Sequence, residues 1–401
     1  LIVAVKGLGG FHLMVDARSE DAVRRLRQRK LREAKPFAVM YSSIDMATED
    51  CLVSEVEAKL LSAPEAPIVL LAKKAGISIA PAVAPDNPYL GVMTAYAPLH
   101  LVLMREFGGV TVATSGNRSD EPICIDEHEA LKDLSGIADM FLVHDRPILR
   151  RVDDSIVRVI AGRPMLLRRA RGYAPLSITV ERPLPVIVAV GSHLKNTIAV
   201  SRGNDVFISQ HLGDLENEKS FKAFEQTIAD LLRMYDLTPE VVAHDAHPDY
   251  YSTRYAQAAG LPSLAVQHHY AHALACMAEN RIEAPCLAVT WDGAGYHPDG
   301  TIRGGEFLLI NDDGCELLAA MKQFRLPGGD KAAREGRRSA LALLYAYYGD
   351  KAWDHALVHG LDFTQSELTL LRQMLEKDIN APLTSSMGRW FDAIAALTGL
   401  C

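Results

Sequence analysis

The chain has 401 residues, of which 42 are Lys or Arg and 50 are Asp or Glu, giving a formal net charge of -8 at pH 7. Hydrophobic residues make up 49% and charged residues 23% of the chain, which are ordinary globular proportions. This composition excludes long disorder, a collagenous repeat and a coiled-coil rod, and the acidic balance disfavours a surface wholly devoted to nucleic acid. The length is enough for two or three domains, each with its own core.

The sequence carries no sign of a membrane or of an oxidising compartment. No apolar run reaches the roughly 18 residues that cross a bilayer, and no signal peptide is visible. The six cysteines are scattered without a C-x-x-C pair, which fits a reducing cytoplasm better than a disulfide framework or a zinc ribbon. We therefore expect a cytoplasmic protein with no membrane partner.

Strands and helices alternate in the first part of the chain, which indicates an α/β fold. The run LIVAV predicts a strand, and the charged pattern from Asp21 to Ala34 predicts a helix that Pro36 stops. The runs FAVMYS, PIVLLAK and VTVATSGN predict further strands, and PLHLVLMREFG predicts a helix.

A second unit is expected to begin near Glu181 to Pro185, the segment ERPLP. Two prolines in five residues cannot continue a helix or lie in a central strand, and the apolar run VIVAVG that follows predicts a buried first strand. The predicted domains are therefore residues 1–180 and 186–401. Beyond the boundary we expect a hairpin, a helix from Phe221 to Tyr235, buried strands at VVAHD and LPSLAVQ, and mainly helices from about Ala333 onward.

Lys6 ends the first predicted strand and precedes the glycine turn Gly7–Gly10. Glycines at this place let backbone N–H groups approach an anion, so Lys6 is a candidate phosphate ligand. The spacing matches neither a P-loop nor a Rossmann fingerprint. A tight turn with a solvated lysine is the alternative.

Two further polar patches lie at junctions between predicted elements. Arg32 and Lys35 close the charged helix, either as a solvated helix end or as ligands of an anion. Thr114, Ser115 and Asn117 follow the strand VTVA and offer the hydroxyls and the amide that a nucleotide or carbonyl site needs. A plain exit from strand to loop is the alternative for this patch.

Arginines are dense between Arg150 and Arg171, with three of them inside the four residues Arg168 to Arg171. Such a run is usual at a solvated edge or at an edge that binds phosphate. Single-stranded RNA is another ligand of such surfaces, but aromatic residues are too sparse here for stacked bases.

Together these patches and their order resemble the YrdC family, which makes acyl-adenylates from ATP and a carbamoyl-type acid. The matching stretches are KGLGGFHL, RKLREAKPF, VATSGNRSDEP, RRVDDSIV and LLRRARGYAP, and KGLGGFHL with VAPDNPYLGVM points to the carbamoyltransferase branch. Adenylation needs cations and N–H donors around the charge that develops on phosphate. By this resemblance the catalytic residues would be Lys6, Arg32, Lys35 and Ser115, and the residues binding ATP and carbamoyl-adenylate would include Thr114, Asn117 and Arg169.

Histidines are concentrated in the predicted helix HHYAHALACMAEN of the second segment. His268 and His272 are four residues apart, hence on one helix face with the spacing of a metal-ligand pair. His269 stands where a zinc protease of the H-E-x-x-H type has its glutamate, so that chemistry is excluded. Capping or core histidines are the alternative. Asp292, between the apolar strand CLAVTW and a glycine turn, suits a metal or a metal-bound phosphate.

Two other turns of the second segment are polar. Gly191–Thr197 lies between two predicted strands, as Asp292 and its glycines do, and this pair of turns resembles the phosphate loops of actin-like ATPases. Each turn alone could be an ordinary one. The cluster His244–Tyr250 at a strand end is either a structural loop with capping carboxylates or a ligand site.

The second segment as a whole resembles the TsaD-like half of the HypF family of hydrogenase-maturation carbamoyltransferases. The resemblance implies an α/β protein with a YrdC-like twisted α/β domain followed by an actin-like (ASKHA) ATPase-type domain that is incomplete at its C-terminal end. The matching stretches are VGSHLKNTIAV, SQHLGDLEN, AHDAHPDYYSTRYA, VQHHYAHALACMAEN, WDGAGYHPDGTIRGGEF and LPGGD.

The same resemblance implies an ATP-dependent carbamoyltransferase that uses carbamoyl phosphate and carbamoylates the C-terminal cysteine of a HypE-type partner. ATP with Mg²⁺ would be bound, and Lys195 and Asn196 would lie near the nucleotide. A divalent metal, Zn²⁺ or Fe²⁺, would be held by His268, His272 and Asp292. A thiolate is the competent nucleophile for such a transfer.

The chain also departs from the HypF pattern. An acylphosphatase-like domain, a cysteine-rich zinc-finger region and a C-terminal Asp-Gly-Gly segment are not found, so the sequence predicts the middle of a longer enzyme. Leu1 lies inside a strand-like run and Cys401 follows a helical pattern, which agrees with that expectation. We interpret Cys401 as the point where the sequence stops rather than as a carbamoyl acceptor.

Two other functions remain open on the sequence. Threonylcarbamoyl transfer to tRNA predicts a basic surface, which a net charge of -8 does not favour. A nucleotide-binding scaffold without catalysis that docks a partner is the second alternative. Nucleic acid is therefore an unexpected partner for this chain.

Overall fold

The computed structural model describes residues 1–119 and 121–400, so that Asp120 and Cys401, both part of sequence motifs considered above, lie outside the described residues. The chain forms two compact units, Leu1–Val242 and Ala243–Cys401. The strands of the first unit are β1 Val3–Lys6, β2 Phe11–Asp16, β3 Ala38–Tyr41, β4 Cys51–Leu52, β5 Ile68–Lys73, β6 Tyr89–Thr94, β7 Thr111–Ser115, β8 Met140–Leu142, β9 Ile156–Ile160, β10 Arg163–Arg168, β11 Ser177–Leu184, β12 Ile187–Ala189 and β13 Ala199–Ile208. Its helices are α1 Glu20–Lys30, α2 Ile44–Asp50, α3 Glu55–Ser62, α4 Pro98–Phe107, α5 Glu127–Leu134 and α6 Glu218–Tyr235, with a 3₁₀ turn at Pro81–Val83.

A mixed sheet of ten strands organises the first part of this unit, in the order β10-β9-β5-β6-β3-β7-β2-β1-β8 with β4 beside β5. Its central strands β2 and β7 are buried on both faces, as in a sheet covered by helices on both sides. Helices α1, α2, α3 and α5 pack on one face around Leu13, Val15 and Leu26. Helix α4 covers the other face, where Met104 joins Met14 and Met40.

Helix α1 is shorter than the sequence predicts. Ser19 caps its first turn by accepting a hydrogen bond from the Ala22 N–H, but the helix ends at Lys30 and not at Ala34. The chain leaves the helix through Leu31, which adopts left-handed φ and ψ of 51° and 44°. This reversal, rather than Pro36, stops the helix, so the residues after Lys30 form a loop.

A smaller antiparallel set follows, in which β13 pairs with both β11 and β12. The predicted boundary segment forms the end of β11, where Pro183 lies in an edge strand and the register is irregular between Thr179 and Leu184. Helix α6 begins after Asn217, whose side chain accepts from the Ser220 N–H, and packs Phe224 and Leu231 inward.

The second unit is reached through β14 Val241–Asp245, which crosses the division. Its largest sheet has the order β16-β17-β20-β19 with β18 beside β17. Among the described residues, none of the helices of either unit is both long and apolar enough to cross a membrane. The elements are α7 Tyr251–Ala258, β15 Ser263–Val266, α8 His268–Asn280, β16 Cys286–Tyr296, β17 Ile302–Asn311, β18 Gly314–Ala320, β19 Phe324–Arg325, α9 Asp330–Arg334, α10 Gly336–Tyr348, a 3₁₀ turn at Gly349–Asp354, α11 Ala356–His359, α12 Gln365–Glu376, β20 Leu383–Thr384 and α13 Met387–Thr398.

In the second unit, helix α8 agrees with its prediction and strand β16 differs from its prediction. Helix α8 begins at His268, directly after β15, as the sequence predicts. Strand β16 does not end before Asp292 but runs on to Tyr296, with a register shift between Trp291 and Gly295. The shift bends the strand at Asp292, so this carboxylate lies at a bulge, where side chains are often re-aimed.

Candidate nucleotide and metal sites

The loop after α1 is organised by one buried arginine, Arg27, which the sequence pattern does not single out. Its guanidinium donates to the carbonyl oxygens of Glu33 at 3.1 Å and Lys35 at 3.2 Å, and to that of Ala82 at 2.5 Å. It also stacks over Phe37, with 4.6 Å from its central carbon to the ring centroid. Arg27 therefore fixes the loop that carries the predicted residues Arg32 and Lys35.

Arg32 reaches from this loop to the end of β7. It donates to the Thr114 hydroxyl oxygen at 3.2 Å and to the Lys35 carbonyl oxygen at 3.0 Å, and its central carbon lies 4.7 Å from the centroid of the Phe37 ring. Burial, then the charges of Arg27 and Arg168, lower the pKa of Arg32 to about 10. The carboxylates nearby therefore do not fully neutralise the positive charge around Arg32.

Lys35 has the same electrostatic character. Burial, followed by the charges of Arg32 and Arg168, lowers its pKa. Cations that disfavour one another's charge in this way are stabilised when an anion binds among them. The electrostatic environment of the loop after α1 therefore favours an anion.

Lys30, the last residue of α1, holds the loop that follows β7. Its ammonium group donates to the Ser115 carbonyl oxygen at 2.6 Å, and to the carbonyl and side-chain oxygens of Asn117 at 2.9 and 2.8 Å. Only 6% of Lys30 is exposed, and burial, then the charge of Arg32, lowers its pKa to about 7. The Ser115 hydroxyl donates to Asn117 Oδ1 at 2.7 Å. Five of the residues that the sequence predicts, Arg32, Lys35, Thr114, Ser115 and Asn117, are therefore brought together.

Lys6 and Arg169 have partners within the protein. Lys6 is 1% exposed and donates to Glu127 Oε2 at 2.8 Å and to the His144 carbonyl oxygen at 3.1 Å. Arg169 donates to the Tyr173 carbonyl oxygen at 3.1 Å. Their predicted roles toward phosphate stay predictions, and the structure adds that the Lys6 charge is already paired.

The turn Gly191–Thr197 is closed by the buried side chain of Asn196. Its amide nitrogen donates to the carbonyl oxygens of Val190 at 2.9 Å and Ser192 at 2.7 Å. Lys195 is exposed and adopts left-handed φ of 49°, and its N–H donates to Asp214 Oδ1 at 2.7 Å. Asn196 thus shapes this turn from within, while Lys195 is open to solvent; their predicted proximity to a nucleotide stays a prediction.

In the second unit, His268, His272 and Asp292 each place one ligand atom within 4.8 Å of the others. The two Nε2 atoms are 3.2 Å apart, and Asp292 Oδ2 lies 3.0 Å from His268 Nε2 and 3.8 Å from His272 Nε2. The one-turn spacing on α8 brings the imidazoles together, and the bulge in β16 aims the carboxylate at them. The three side chains predicted from the sequence therefore share one site.

Carboxylates behind the imidazoles fix their orientation. Asp245, at the end of β14, lies 2.5 Å from His268 Nδ1, which leaves Nε2 facing Asp292. The fully buried His269 pairs through Nδ1 with Glu306 Oε2 at 2.8 Å. A histidine that ligates a metal is usually held in this way by a carboxylate on its other nitrogen.

The electrostatic environment of this cluster favours a cation. Burial alone would lower the pKa of His268, but the contacts with Asp245 and Asp292 raise it to about 9. The pKa of Asp292 is held well below its usual range, because His268, His269 and the Gly293 N–H outweigh the effect of burial. The carboxylates therefore favour positive charge on His268 and His269, whereas burial, then the charge of His268, lowers the pKa of His272.

These residues fit a divalent metal. Asp292 Oδ2 is buried and accepts no hydrogen bond of good geometry from the described residues, so its lone pairs are directed into the cluster. Two imidazole nitrogens and one carboxylate oxygen form the three-ligand set of catalytic zinc or iron sites, which leave a position open. A cavity of about 350 Å³, lined by His272, Asp292, Trp291 and Cys276, adjoins them within the same unit.

Three residues of these sites cannot be identified from the sequence. Asp245 lies in a cluster for which the sequence leaves a structural loop and a ligand role equally open, and only the fold brings it to His268, 23 residues away. Arg27 and Lys30 belong to a run of cations, RRLRQRKLR, in which the pattern does not distinguish buried side chains from solvated ones.

Family models match nearly the whole chain. Residues 1–170 match the Sua5/YciO/YrdC family model described as "Telomere recombination". Residues 182–279 match "HypF Kae1-like domain", and residues 288–401 match "Carbamoyltransferase, Kae1-like Domain, second subdomain". The predicted order, a YrdC-like part followed by a Kae1-like or TsaD-like part, is confirmed.

Individual relatives agree with these models. The chain is 46% identical over 413 aligned residues to carbamoyltransferase HypF of Synechocystis sp., covering 100% of this chain and 54% of that protein. A crystal structure of full-length HypF in the phosphate- and nucleotide-bound form aligns with a TM-score of 0.95 and 43% identity, over 100% of this chain and 63% of that one. The crystal structure of T. kodakarensis HypF aligns with a TM-score of 0.93 and 33% identity, over 100% of this chain and 54% of that one.

The chain thus spans about half the length of the curated relatives it matches. The similarity extends over its entire length and over both kinds of site described above. The chain belongs to the HypF carbamoyltransferase family.

Proposed function

We propose that this chain carries the two chemical centres of an ATP-dependent carbamoyltransferase, within predicted domains 1–180 and 186–401. The first centre activates carbamate as carbamoyl-adenylate, and the second delivers the carbamoyl group to a cysteine thiolate. Membership of the HypF family supports the overall activity. The finer steps are supported by the geometry of each site.

The observation that carries the first step is the group of cations around the loop after β7. Burial, then the charges of Arg27 and Arg168, lower the pKa of Arg32, and burial, then the charge of Arg32, lowers that of Lys35. Lys30 holds the adjoining Ser115–Asn117 loop through hydrogen bonds. A triphosphate supplies the negative charge that this arrangement lacks. The crystal structure of a related HypF in a nucleotide-bound form agrees with that choice of ligand.

In the proposed adenylation, a carbamate oxygen attacks the α-phosphorus of ATP. The new O–P bond forms as the bond from the α-phosphorus to the bridging oxygen breaks, and pyrophosphate leaves with that electron pair. Arg32 and Lys35 stabilise the charge that develops on the phosphoryl oxygens, and Ser115 orients the substrate. Mg²⁺ enters with ATP as part of the substrate.

In the proposed transfer, a cysteine thiolate attacks the carbonyl carbon of carbamoyl-adenylate. The C–S bond forms, the C–O bond to phosphate breaks, and AMP leaves. A Zn²⁺ or Fe²⁺ ion held by His268, His272 and Asp292 would supply Lewis acidity toward the phosphate of the intermediate. Asp245 keeps His268 turned so that Nε2 faces that position.

We infer further that the acceptor is the C-terminal cysteine of a HypE-type protein, and that the chain works in a reducing cytoplasm. The name of the relatives, carbamoyltransferase HypF, supports an acceptor for a carbamoyl group. Five cysteines, all those in the described part of the chain, are unpaired, as a reducing compartment would keep them.

Product analysis tests the adenylation step. The chain is incubated with ATP, Mg²⁺ and ammonium carbamate, or with carbamoyl phosphate or bicarbonate, and nucleotides are separated by chromatography. Equimolar AMP and pyrophosphate are expected with carbamate. ADP as the sole product contradicts adenylation, and absence of turnover with every acid favours a non-catalytic scaffold. AMP formation that requires threonine with bicarbonate identifies threonylcarbamoyl chemistry instead.

A further inference from the structure

Two buried imidazoles lie on the α4 side of the large sheet, outside the cation group described above. His12 is on β2 and is 4% exposed, and His100 is on α4 and is 0% exposed. Their ring centroids are 5.5 Å apart. Neither takes part in the proposed adenylation as described so far.

The bonding of His12 leaves one ring nitrogen without a partner. Its Nε2 lies 3.0 Å from Asp154 Oδ2, and Arg171 donates twice to Asp154 Oδ1, at 3.1 and 3.0 Å. A carboxylate oxygen accepts, so Nε2 is the nitrogen that donates to Asp154. The other ring nitrogen, Nδ1, is buried and has no hydrogen-bond partner among the described residues.

His100 adds two more ring nitrogens. Burial, followed by the nearby His12, lowers the pKa of His100 to about 3, so the ring is neutral and offers one donor and one acceptor. Both nitrogens are buried and lack hydrogen-bond partners in the described part of the chain. Buried polar atoms without partners are destabilising, and three in one place indicate a polar ligand.

The position of the rings relates them to the proposed adenylate site. His12 on β2 lies directly opposite Ser115 on β7 in the antiparallel register, so their side chains are neighbours on the same face. The glycine turn lies against the rings: a Cβ added at Gly7 would be 3.5 Å from His100 Nε2 and 2.9 Å from the Gly10 carbonyl oxygen. Gly7 therefore lies against His100, and His12 adjoins Ser115.

We propose that His12 and His100 form a specificity pocket for the unsubstituted –NH₂ group of carbamate, an inference that rests on the function proposed above. The –NH₂ group has two N–H donors, and His12 Nδ1 with one nitrogen of His100 supplies two acceptors. Bicarbonate can donate only one hydrogen bond there. An N-substituted carbamate loses one of the two donors.

The test is carbamate-dependent exchange of labelled pyrophosphate into ATP, which isolates adenylation. Wild type, His100→Phe and His12→Gln are compared with ammonium carbamate, bicarbonate and N-methylcarbamate. Phe keeps the volume of His100 without its nitrogens, and the Gln amide can still donate to Asp154. For both variants we expect the KM for carbamate to rise by about 10-fold or more and discrimination against the other acids to fall, because a site built for hydrogen bonds then loses a partner. The KM for ATP should not change, which also verifies that each variant is folded.

Met104→Leu is the matched packing control, since Met104 is 1% exposed and one helical turn beyond His100 on α4. It should leave the preference among acids as in wild type. Unchanged acid preference in both histidine variants, or equal rises in KM for ATP and carbamate, overturns the pocket and leaves a structural role. If wild type itself shows no exchange with any acid, the proposed adenylation fails, which is a distinct result.

Discussion

The two candidate sites have opposite electrostatic characters. In the first unit, Arg32 and Lys35 are cations whose pKa values are lowered by burial and by other cations. In the second, the pKa of His268 is raised to about 9, because carboxylates outweigh its burial. The first site is therefore stabilised by an incoming anion and the second by an incoming cation.

This difference separates the two proposed half-reactions. A polyphosphate fits the first site through protein cations alone, whereas a metal fits the second through imidazole and carboxylate ligands. Variants of one site should consequently leave the ligand of the other bound. Substitutions at each site in turn test that separation.

The largest expected effect is loss of the metal. His268→Ala removes one of three ligands and leaves Asp292 without its neighbour at 3.0 Å, so the purified variant should contain essentially no divalent metal. Elemental analysis of the purified protein measures this. His359→Ala, an exposed histidine in α11, is the control and should keep the metal. Wild-type metal content in His268→Ala would refute the ligand assignment.

Arg32→Ala should reduce AMP formation by about 10²-fold, because it removes a cation from the charge that develops on phosphate. Steady-state release of AMP measures the effect, and metal content should stay as in wild type. Arg24→Ala is the matched control, since Arg24 lies in the preceding helix α1 with a side chain 70% exposed. Activity near that of wild type in Arg32→Ala would show that Arg32 does not contribute to adenylation.

Asp245→Asn tests the residue that positions His268. The amide lacks the charge that favours the metal-binding orientation of the ring, so metal affinity should fall by about 10–100-fold while the ligands remain. Competition with a chromophoric chelator gives the dissociation constant. If the affinity equals that of wild type, the 2.5 Å contact between Asp245 and His268 has no role in metal binding.

A further prediction concerns the pH dependence of stability. The pKa of Lys30 falls from 10.5 in an unfolded chain to about 7 in the protein, so the folded state binds fewer protons between these values. Unfolding then takes up a proton, and the free energy of unfolding should rise with pH across that window by up to about 1.4 kcal/mol per pH unit. Below about pH 7 this contribution is constant, because Lys30 is then protonated in both states.

In Lys30→Met the free energy of unfolding should rise less steeply with pH, because this contribution is absent. Urea unfolding of wild type and variant at several pH values between about 7 and 10 measures it. Lys132→Met, at an exposed position of α5, is the control. Identical slopes in wild type and Lys30→Met would mean that Lys30 keeps its proton throughout.

The sequence could predict those features that depend on residues close together in the chain. The spacing of His268 and His272 and the glycines that follow Asp292 are local sequence features, and they led to three side chains that the structure places within 4.8 Å. Strand and helix alternation likewise predicted the α/β class. Resemblance to known families supplied the order of the two parts, which the family models confirm.

Features that depend on long-range contacts could not be predicted. The pairs His12–His100 and Asp245–His268 come from segments far apart in the chain, and only the fold joins them. The predicted end of α1 was wrong because Leu31, and not a glycine, adopts the left-handed conformation that stops the helix. Composition does not reveal which cations of a helix are buried, so Lys30 was not distinguished from its neighbours.

We expect adenylation to depend on the cation site and not on the metal ligands. Carbamate-dependent exchange of labelled pyrophosphate into ATP, measured side by side in Arg32→Ala and His268→Ala, tests this expectation. Exchange should be lost in Arg32→Ala and persist near the wild-type rate in His268→Ala. Loss of exchange in His268→Ala together with wild-type exchange in Arg32→Ala would contradict it.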